Sequence, residues 1–213
     1  MQVIRYSLVL ASLWLAAAAA QAEGAGAWYP GFATNDTALT ARVQIEGGAG
    51  LKTIRRAYVN AGTNRMAFVV PDGFRLESTD ATQAVLVSSA FACQIRFRLL
   101  DSIPLTAGEP DAAACRQSLL DRCHDATILE EASRTVNQRT GPVINLRWNG
   151  AGHIPLQGSF VFLPYEGQVI ELSLVASPEK LNLAWPDFHL VLLTFRASDK
   201  NGRLAVPMLS DKI

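Results

Sequence analysis

The chain has 213 residues, of which 19 are Lys or Arg and 19 are Asp or Glu, and 49% of it is hydrophobic. This charge balance excludes a protein held on nucleic acid by bulk charge, and the hydrophobic content argues against a disordered chain. Three cysteines are too few for a small scaffold built on disulfides. The length corresponds to a single domain.

The amino terminus has the pattern of an export signal. Arg5 supplies a positive charge, an apolar run follows, and the sequence from Ala20 to Ala22 matches a small-x-small cleavage site. We predict a signal peptide over residues 1–22 and a flexible leader over residues 23–39, in which Trp28 and Phe32 are candidate docking residues. The mature protein is expected in the periplasm or the extracellular medium, without stable insertion into a membrane.

Short strand-like runs divided by turn residues come next, which is typical of an antiparallel sheet. The predicted strands before residue 100 are 41–45, 54–59, 66–70, 74–78, 84–88 and 91–99. The last of these alternates most clearly, with Phe97 on one side of the strand and Gln94, Arg96 and Arg98 on the other. We expect one of these faces in the core and the other open to solvent or to a partner.

The second half of the chain adds two helices. The period becomes helical between residues 111 and 123, where Pro110 and Asp111 suit the amino end of a helix. The closing helix begins at Ser177 and is expected to break or restart at Pro186. The strands predicted between these helices are 127–131, 143–148, 159–163 and 168–175.

This order of elements predicts an α+β fold. We expect a curved antiparallel sheet with two main helices packed on it, forming a single domain over residues 40–199 that is followed by a short tail over residues 200–213. Parallel βαβ alternation is not indicated.

Three stretches resemble the PsbP-like superfamily, which includes exported or lumenal photosystem accessory proteins and the Ran-binding nuclear import factor. They are the run from Phe68 to Phe74 that leads into paired strands, the helix before the Leu129 strand, and the closing helix from Phe188 to Arg196. The resemblance covers about residues 65 to 197. It implies a binding or assembly role and assigns no metal, cofactor or active residue.

Arginines on the predicted strands form the leading candidate for a binding surface. Arg96 and Arg98 share one strand face, and Arg75 and Arg147 lie at outward positions on their own strands. If those strands were neighbours, the four side chains would form a basic stripe able to hold an acidic protein segment or an anionic polymer. The alternative is cross-strand pairing with acidic residues: Glu77, Glu130 and Glu171.

The cysteines leave two interpretations open. Cys115 and Cys123 would lie about 12 Å apart on one continuous helix, beyond the reach of a disulfide. Cys93 faces inward on its strand, so a disulfide from Cys93 to Cys115 or to Cys123 is possible in an oxidising compartment. The other interpretation is three buried thiols that act as small hydrophobic side chains.

No catalytic residue, metal site or cofactor is predicted. His124 follows Cys123 directly, so the two side chains point apart, and His153 and His189 have no recognisable nucleophile motif beside them. We therefore expect an exported non-catalytic protein that binds an envelope or secreted protein. The alternatives are a binder of a small apolar ligand at Trp148, Phe160, Phe162 and Trp185, or a small hydrolase using His153.

Overall fold

The computed structural model describes residues 39–47, 53–61, 64–79, 83–198 and 204. Six strands come first: β1 Leu39–Glu46, β2 Ile54–Ala61, β3 Asn64–Val69, β4 Phe74–Thr79, β5 Gln83–Ser88 and β6 Cys93–Leu100. Two short strands and a helix follow: β7 Leu105–Thr106, β8 Glu109–Pro110 and α1 Ala112–Arg122. The remaining elements are β9 Thr127–Val136, β10 Arg139–Asn149, β11 Pro155–Tyr165, β12 Gln168–Ala176, α2 Pro178–Thr194 and β13 Arg196–Ala197.

The strands form two main antiparallel sheets. The larger has seven strands in the order β4-β5-β6-β12-β11-β10-β9, and the smaller has four in the order β1-β2-β3-β13. The predicted α+β class, the antiparallel pairing and the two helices are confirmed for the described part of the chain. The predicted curvature is not found, because neither of these two sheets is strongly curled; β7 and β8 form a third, two-stranded sheet.

Both faces of the seven-stranded sheet are covered. On one face, Phe97 and Leu172 pack in a core with Phe188 of α2 and with Phe68 of the smaller sheet. On the other face, Leu119 of α1 packs in a second core whose members on the sheet include Leu146, Phe160 and Phe162. We call these the α2 core and the α1 core.

Helix α1 begins where the sequence predicts. Asp111 is its N-cap, and the Asp111 carboxylate accepts a 2.8 Å hydrogen bond from the backbone N–H of Ala114. Pro110 directly precedes this cap in β8.

Helix α2 continues through Pro186, so the predicted break is wrong. Proline removes one backbone N–H from the helix and crowds the preceding turn. Pro186 lies on the exposed side of α2, where the carbonyl group that loses its partner can bind water. Buried residues of the α2 core hold the helix on both sides of Pro186. Leu181 lies before it, and Phe188, Val191 and Leu192 lie after it.

Candidate functional site

Arg96 and Arg98 are buried, so the prediction that they form an open basic face is wrong. Arg96 is 2% exposed and Arg98 is 7% exposed. The face that carries them also carries the α1 core, and α1 lies on that face. Arg96 donates hydrogen bonds to the side-chain oxygen of Gln94, two residues away on the same strand, at 2.6 and 3.0 Å.

A buried ion pair connects α1 to this polar part of the sheet. Arg122 at the end of α1 donates to both carboxylate oxygens of Glu171, at 2.6 and 3.3 Å, and both side chains are almost fully buried. Arg98 lies directly opposite Glu171 in the pairing of β6 with β12. Burial raises the pKa of Glu171, but the charges of Arg122, Arg98 and Arg96 outweigh it, so the net pKa lies below the usual value and the carboxylate stays ionised.

The structure does not bring the four predicted arginines together. Strands β4 and β6 are separated by β5, and β6 and β10 are separated by two strands. Arg147 lies opposite Gln157 of β11, which in turn lies opposite Ala176 of β12. Ala176 belongs to the α2 core, so Arg147 faces the α2 side of the sheet, whereas Arg96 faces the α1 side. Arg75 is exposed and pairs with Glu77 at 2.6 Å, and a partner-binding role for exposed Arg75 and Arg147 stays a prediction.

All three cysteines are buried and none of them is in a disulfide, so neither candidate disulfide is present. Cys93 belongs to the α2 core and Cys115 and Cys123 belong to the α1 core, so the sheet separates Cys93 from both. Burial raises the pKa of Cys93 and of Cys115 to about 12. These two thiols are therefore neutral near pH 7 and do not act as nucleophiles in this state.

The histidines are not assembled into a reactive cluster in the part of the chain that the structure describes. His153 is exposed and ends a short 3-10 turn over Ala151–His153, and His124 is exposed after α1. No group of three or more His, Cys, Asp or Glu side chains that suits a metal ion occurs among these residues.

The aromatic side chains proposed for an apolar ligand lie in different cores. Trp148, Phe160 and Phe162 are buried in the α1 core, where the rings of Trp148 and Phe160 lie 6.1 Å apart. Trp185 packs against the α2 core on the opposite side of the sheet, with its ring 5.7 Å from that of Phe188. They therefore do not line one common seam between helix and sheet.

The exposed side of α2 carries an apolar surface that the sequence analysis missed. Leu183, Leu190 and Leu193 are 54%, 37% and 63% exposed. Together with Pro186 they follow the spacing i, i+3, i+7 and i+10, which places them along one side of the helix. We call these four residues the α2 stripe.

Acidic side chains flank the α2 stripe. Glu179 is exposed one turn before Leu183, and Asp187 lies beside the stripe in the middle of the helix. Partial burial and the nearby charge of Asp72 raise the pKa of Asp187. The carboxylates of Asp72 and Asp187 are thus close enough to repel each other.

The predicted signal peptide, Trp28 and Phe32 lie outside the described residues. Among those the structure does describe, no helix has the length and apolar character needed to cross a membrane.

Comparison with known proteins gives fold likeness only. No protein-family model matches the chain, and no significant match occurs among curated proteins. Among solved structures, the chain is similar to a Pseudomonas aeruginosa protein of unknown function, with 14% identity, a TM-score of 0.43, and coverage of 60% of this chain and 88% of that one.

The chain is also similar to cyanobacterial PsbP from Synechocystis, with 9% identity, a TM-score of 0.38, and coverage of 78% of this chain and 96% of that one. The PsbP-like resemblance that the sequence predicts is thus found, as a distant likeness of fold. Neither likeness bears on function at these scores.

Proposed function

We propose that this protein is an exported, non-catalytic accessory factor that binds another envelope or secreted protein through the α2 stripe. The observation that carries the proposal is the exposure of Leu183, Leu190 and Leu193 along one side of a helix whose other side is buried. Export is supported by the sequence pattern of residues 1–22.

The α2 stripe has the size and character of the apolar centre of an interface. Leu183 and Leu193 are ten residues apart, which corresponds to about 15 Å along a helix. Fully burying an exposed leucine side chain is worth about 1.5–3 kcal/mol, and because these three are 37–63% exposed, each contributes roughly that fraction of it to binding. Apolar side chains aligned on a helix suit packing against a second amphipathic segment.

The charges beside the stripe define the chemistry of the partner. Glu179 and Asp187 lie on α2 beside the stripe, and Asp72 lies near Asp187; the basic residues are Lys180 in the turn of Glu179 and, at the Leu193 end, Arg196, which donates to the Leu193 carbonyl at 3.0 Å. A partner segment with Lys or Arg beside its apolar residues would pair with these carboxylates and would fix the register of binding. We therefore infer a basic amphipathic segment of another exported protein, and we keep the Trp28 and Phe32 leader as a proposed second contact.

The test begins with identification of the partner in the host of the protein. The tagged mature chain is exported from its own signal and lightly cross-linked, and the peptide joined to α2 is identified by mass spectrometry. That segment is then synthesised and titrated against purified variants. We expect Leu193→Asp to weaken its binding at least about tenfold, since this places an unpaired charge in the apolar contact.

Ile154→Asp is the matched control, because Ile154 is also an exposed apolar residue, 42% exposed, but lies outside α2. Ile154→Asp is expected to bind like the wild type. Equal affinity of the wild type and Leu193→Asp, with both proteins folded by circular dichroism, would exclude the α2 stripe as the binding surface. A cross-linked segment without basic and apolar side chains would contradict the proposed partner chemistry.

A further inference from the structure

Strand β9 forms an outer edge of the seven-stranded sheet. It pairs with β10 on one side, and no strand in the described ranges pairs with its other side. It is ten residues long, and every residue from Leu129 to Ser133 is exposed. Alternate backbone N–H and C=O groups along such an edge point outward and can extend the sheet.

We propose that β9 pairs antiparallel with β9 of a second copy of this chain, about a twofold axis at Ala132. The dimer would join the two large sheets into one continuous sheet with seven strands from each copy. The interface is self-complementary, as a twofold axis requires, because each residue of one copy meets the symmetry-related position of the other. This pairing is independent of the α2 stripe.

Backbone geometry allows only some registers. A bulge at Leu129 interrupts the alternation of β9, and beyond it, from Glu130 onward, every second residue directs its backbone groups outward, so an outward residue must face another outward residue. The twofold axis must therefore lie where a residue faces its own copy in the other chain, and not between two successive positions of the strand. The axes nearest the middle of the exposed run pass through Glu131, Ala132 or Ser133.

Charge selects the axis at Ala132. In that register Glu130 of each copy lies opposite Arg134 of the other, which gives two symmetric ion pairs across the strands. An axis at Glu131 would place two Glu131 side chains directly opposite each other, which is unfavourable. An axis at Ser133 would place Arg134 opposite Ala132 and would form neither ion pair. Among these three registers of a second copy, the charges on this edge therefore favour the axis at Ala132.

The contacts of β9 within one chain leave Glu130 oriented, and Arg134 without a competing side chain opposite it, for the pairing between copies. Glu130 lies opposite Asn145 of β10 and accepts a 2.8 Å hydrogen bond from its side chain, so the carboxylate is already oriented. Arg134 lies opposite Gly141, which has no side chain to compete for the guanidinium. Glu131 points to the other face, where Arg116 holds it at 2.6 Å, and it does not compete for Arg134.

The test is a charge swap on the full mature chain, read by sedimentation over a wide range of concentrations. The wild type is expected to dimerise. Glu130→Arg alone and Arg134→Glu alone should each raise the dimer dissociation constant at least about tenfold, because each places like charges opposite each other twice. The double variant restores both ion pairs with reversed polarity and should return the constant to within about threefold of the wild type.

Glu109→Arg is the control, since Glu109 is an exposed carboxylate outside β9 and its reversal should leave the dimer unchanged. Unfolding midpoints of all variants show whether a loss of dimer reflects a loss of folding. A wild type that stays monomeric at every concentration would overturn the proposal. A dimer whose dissociation constant is unchanged by Glu130→Arg or by Arg134→Glu would also overturn it. So would a double variant that dimerises no better than the single variants.

Discussion

Replacing Glu171 with Gln is expected to destabilise the protein by about 3–5 kcal/mol, because it leaves the buried Arg122 side chain without the opposite charge. Arg122 and Glu171 are 3% and 1% exposed, so water cannot replace the missing charge. Among the described residues, Glu171 is the only buried carboxylate, and the buried guanidiniums of Arg96 and Arg98 lie near it. Removal of its charge therefore affects three arginines at once.

Chemical denaturation of the single and double variants measures this effect. Arg122→Met combined with Glu171→Leu removes both members of the pair, but it also takes the carboxylate away from Arg96 and Arg98. We expect the double variant to lose less stability than Glu171→Gln, because no unpaired charge is left at position 122, while the part of the loss that arises at Arg96 and Arg98 remains. A Glu171→Gln protein as stable as the wild type would show that the ion pair does not hold α1 on the sheet.

The Glu171 carboxylate also causes part of the loss of folding stability at acid pH. Because the pKa of Glu171 is lower in the folded protein than in the unfolded chain, its contribution to stability is present above the unfolded value of about 4.3 and is lost as the pH falls through the folded value. Glu171→Gln should flatten the fall in stability in that acid range. Denaturation midpoints measured against pH for both proteins give this difference.

Phe188→Ala is expected to cost about 3–5 kcal/mol, since it empties a fully buried position of the α2 core. The ring of Phe188 packs against that of Trp185, which also loses a neighbour. Leu193→Ala on the exposed side of the same helix should change the stability by no more than about 0.5 kcal/mol.

Thermal or urea unfolding of both variants makes the comparison. A large loss for Phe188→Ala with little change for Leu193→Ala means that folding needs the buried side of α2 and does not need its exposed leucines. A loss of several kcal/mol for Leu193→Ala would instead mean that this leucine is part of the core, and the α2 stripe would no longer be available to a partner.

Alternation and turn residues predicted most strands and the class of fold. Cys93 was predicted to point into a core, which it does, and Asp111 was predicted at the amino end of α1. Both follow from local patterns, namely the twofold period of a strand and the capping preference of a carboxylate. Such patterns need no knowledge of the tertiary fold.

The environment of Arg96 and Arg98 could not be predicted from alternation alone, because alternation separates two faces without saying what covers either. A signal was present in β11, where Phe160, Val161, Phe162 and Leu163 are apolar without interruption. A continuous apolar run indicates a strand that is buried on both faces. It would have indicated that the face of the arginines is covered as well.

The exposed side of α2 was missed for a similar reason. Leu190, Val191, Leu192 and Leu193 are consecutive apolar residues, so the helical period does not separate the buried residues from the exposed ones. Leu193 is the most exposed leucine of the helix, although it directly follows buried Leu192. Only the packing of α2 against the sheet distinguishes its two sides.

Photo-cross-linking in the host shows whether the α2 stripe contacts a partner, with a photoreactive side chain placed at position 193 or, as a control, at position 154. We expect the probe at 193 to join the chain to one protein through a basic amphipathic segment, and the probe at 154 not to do so. Cross-linking of that protein at 154 and not at 193, or no specific product at 193, would exclude the α2 stripe as the binding surface.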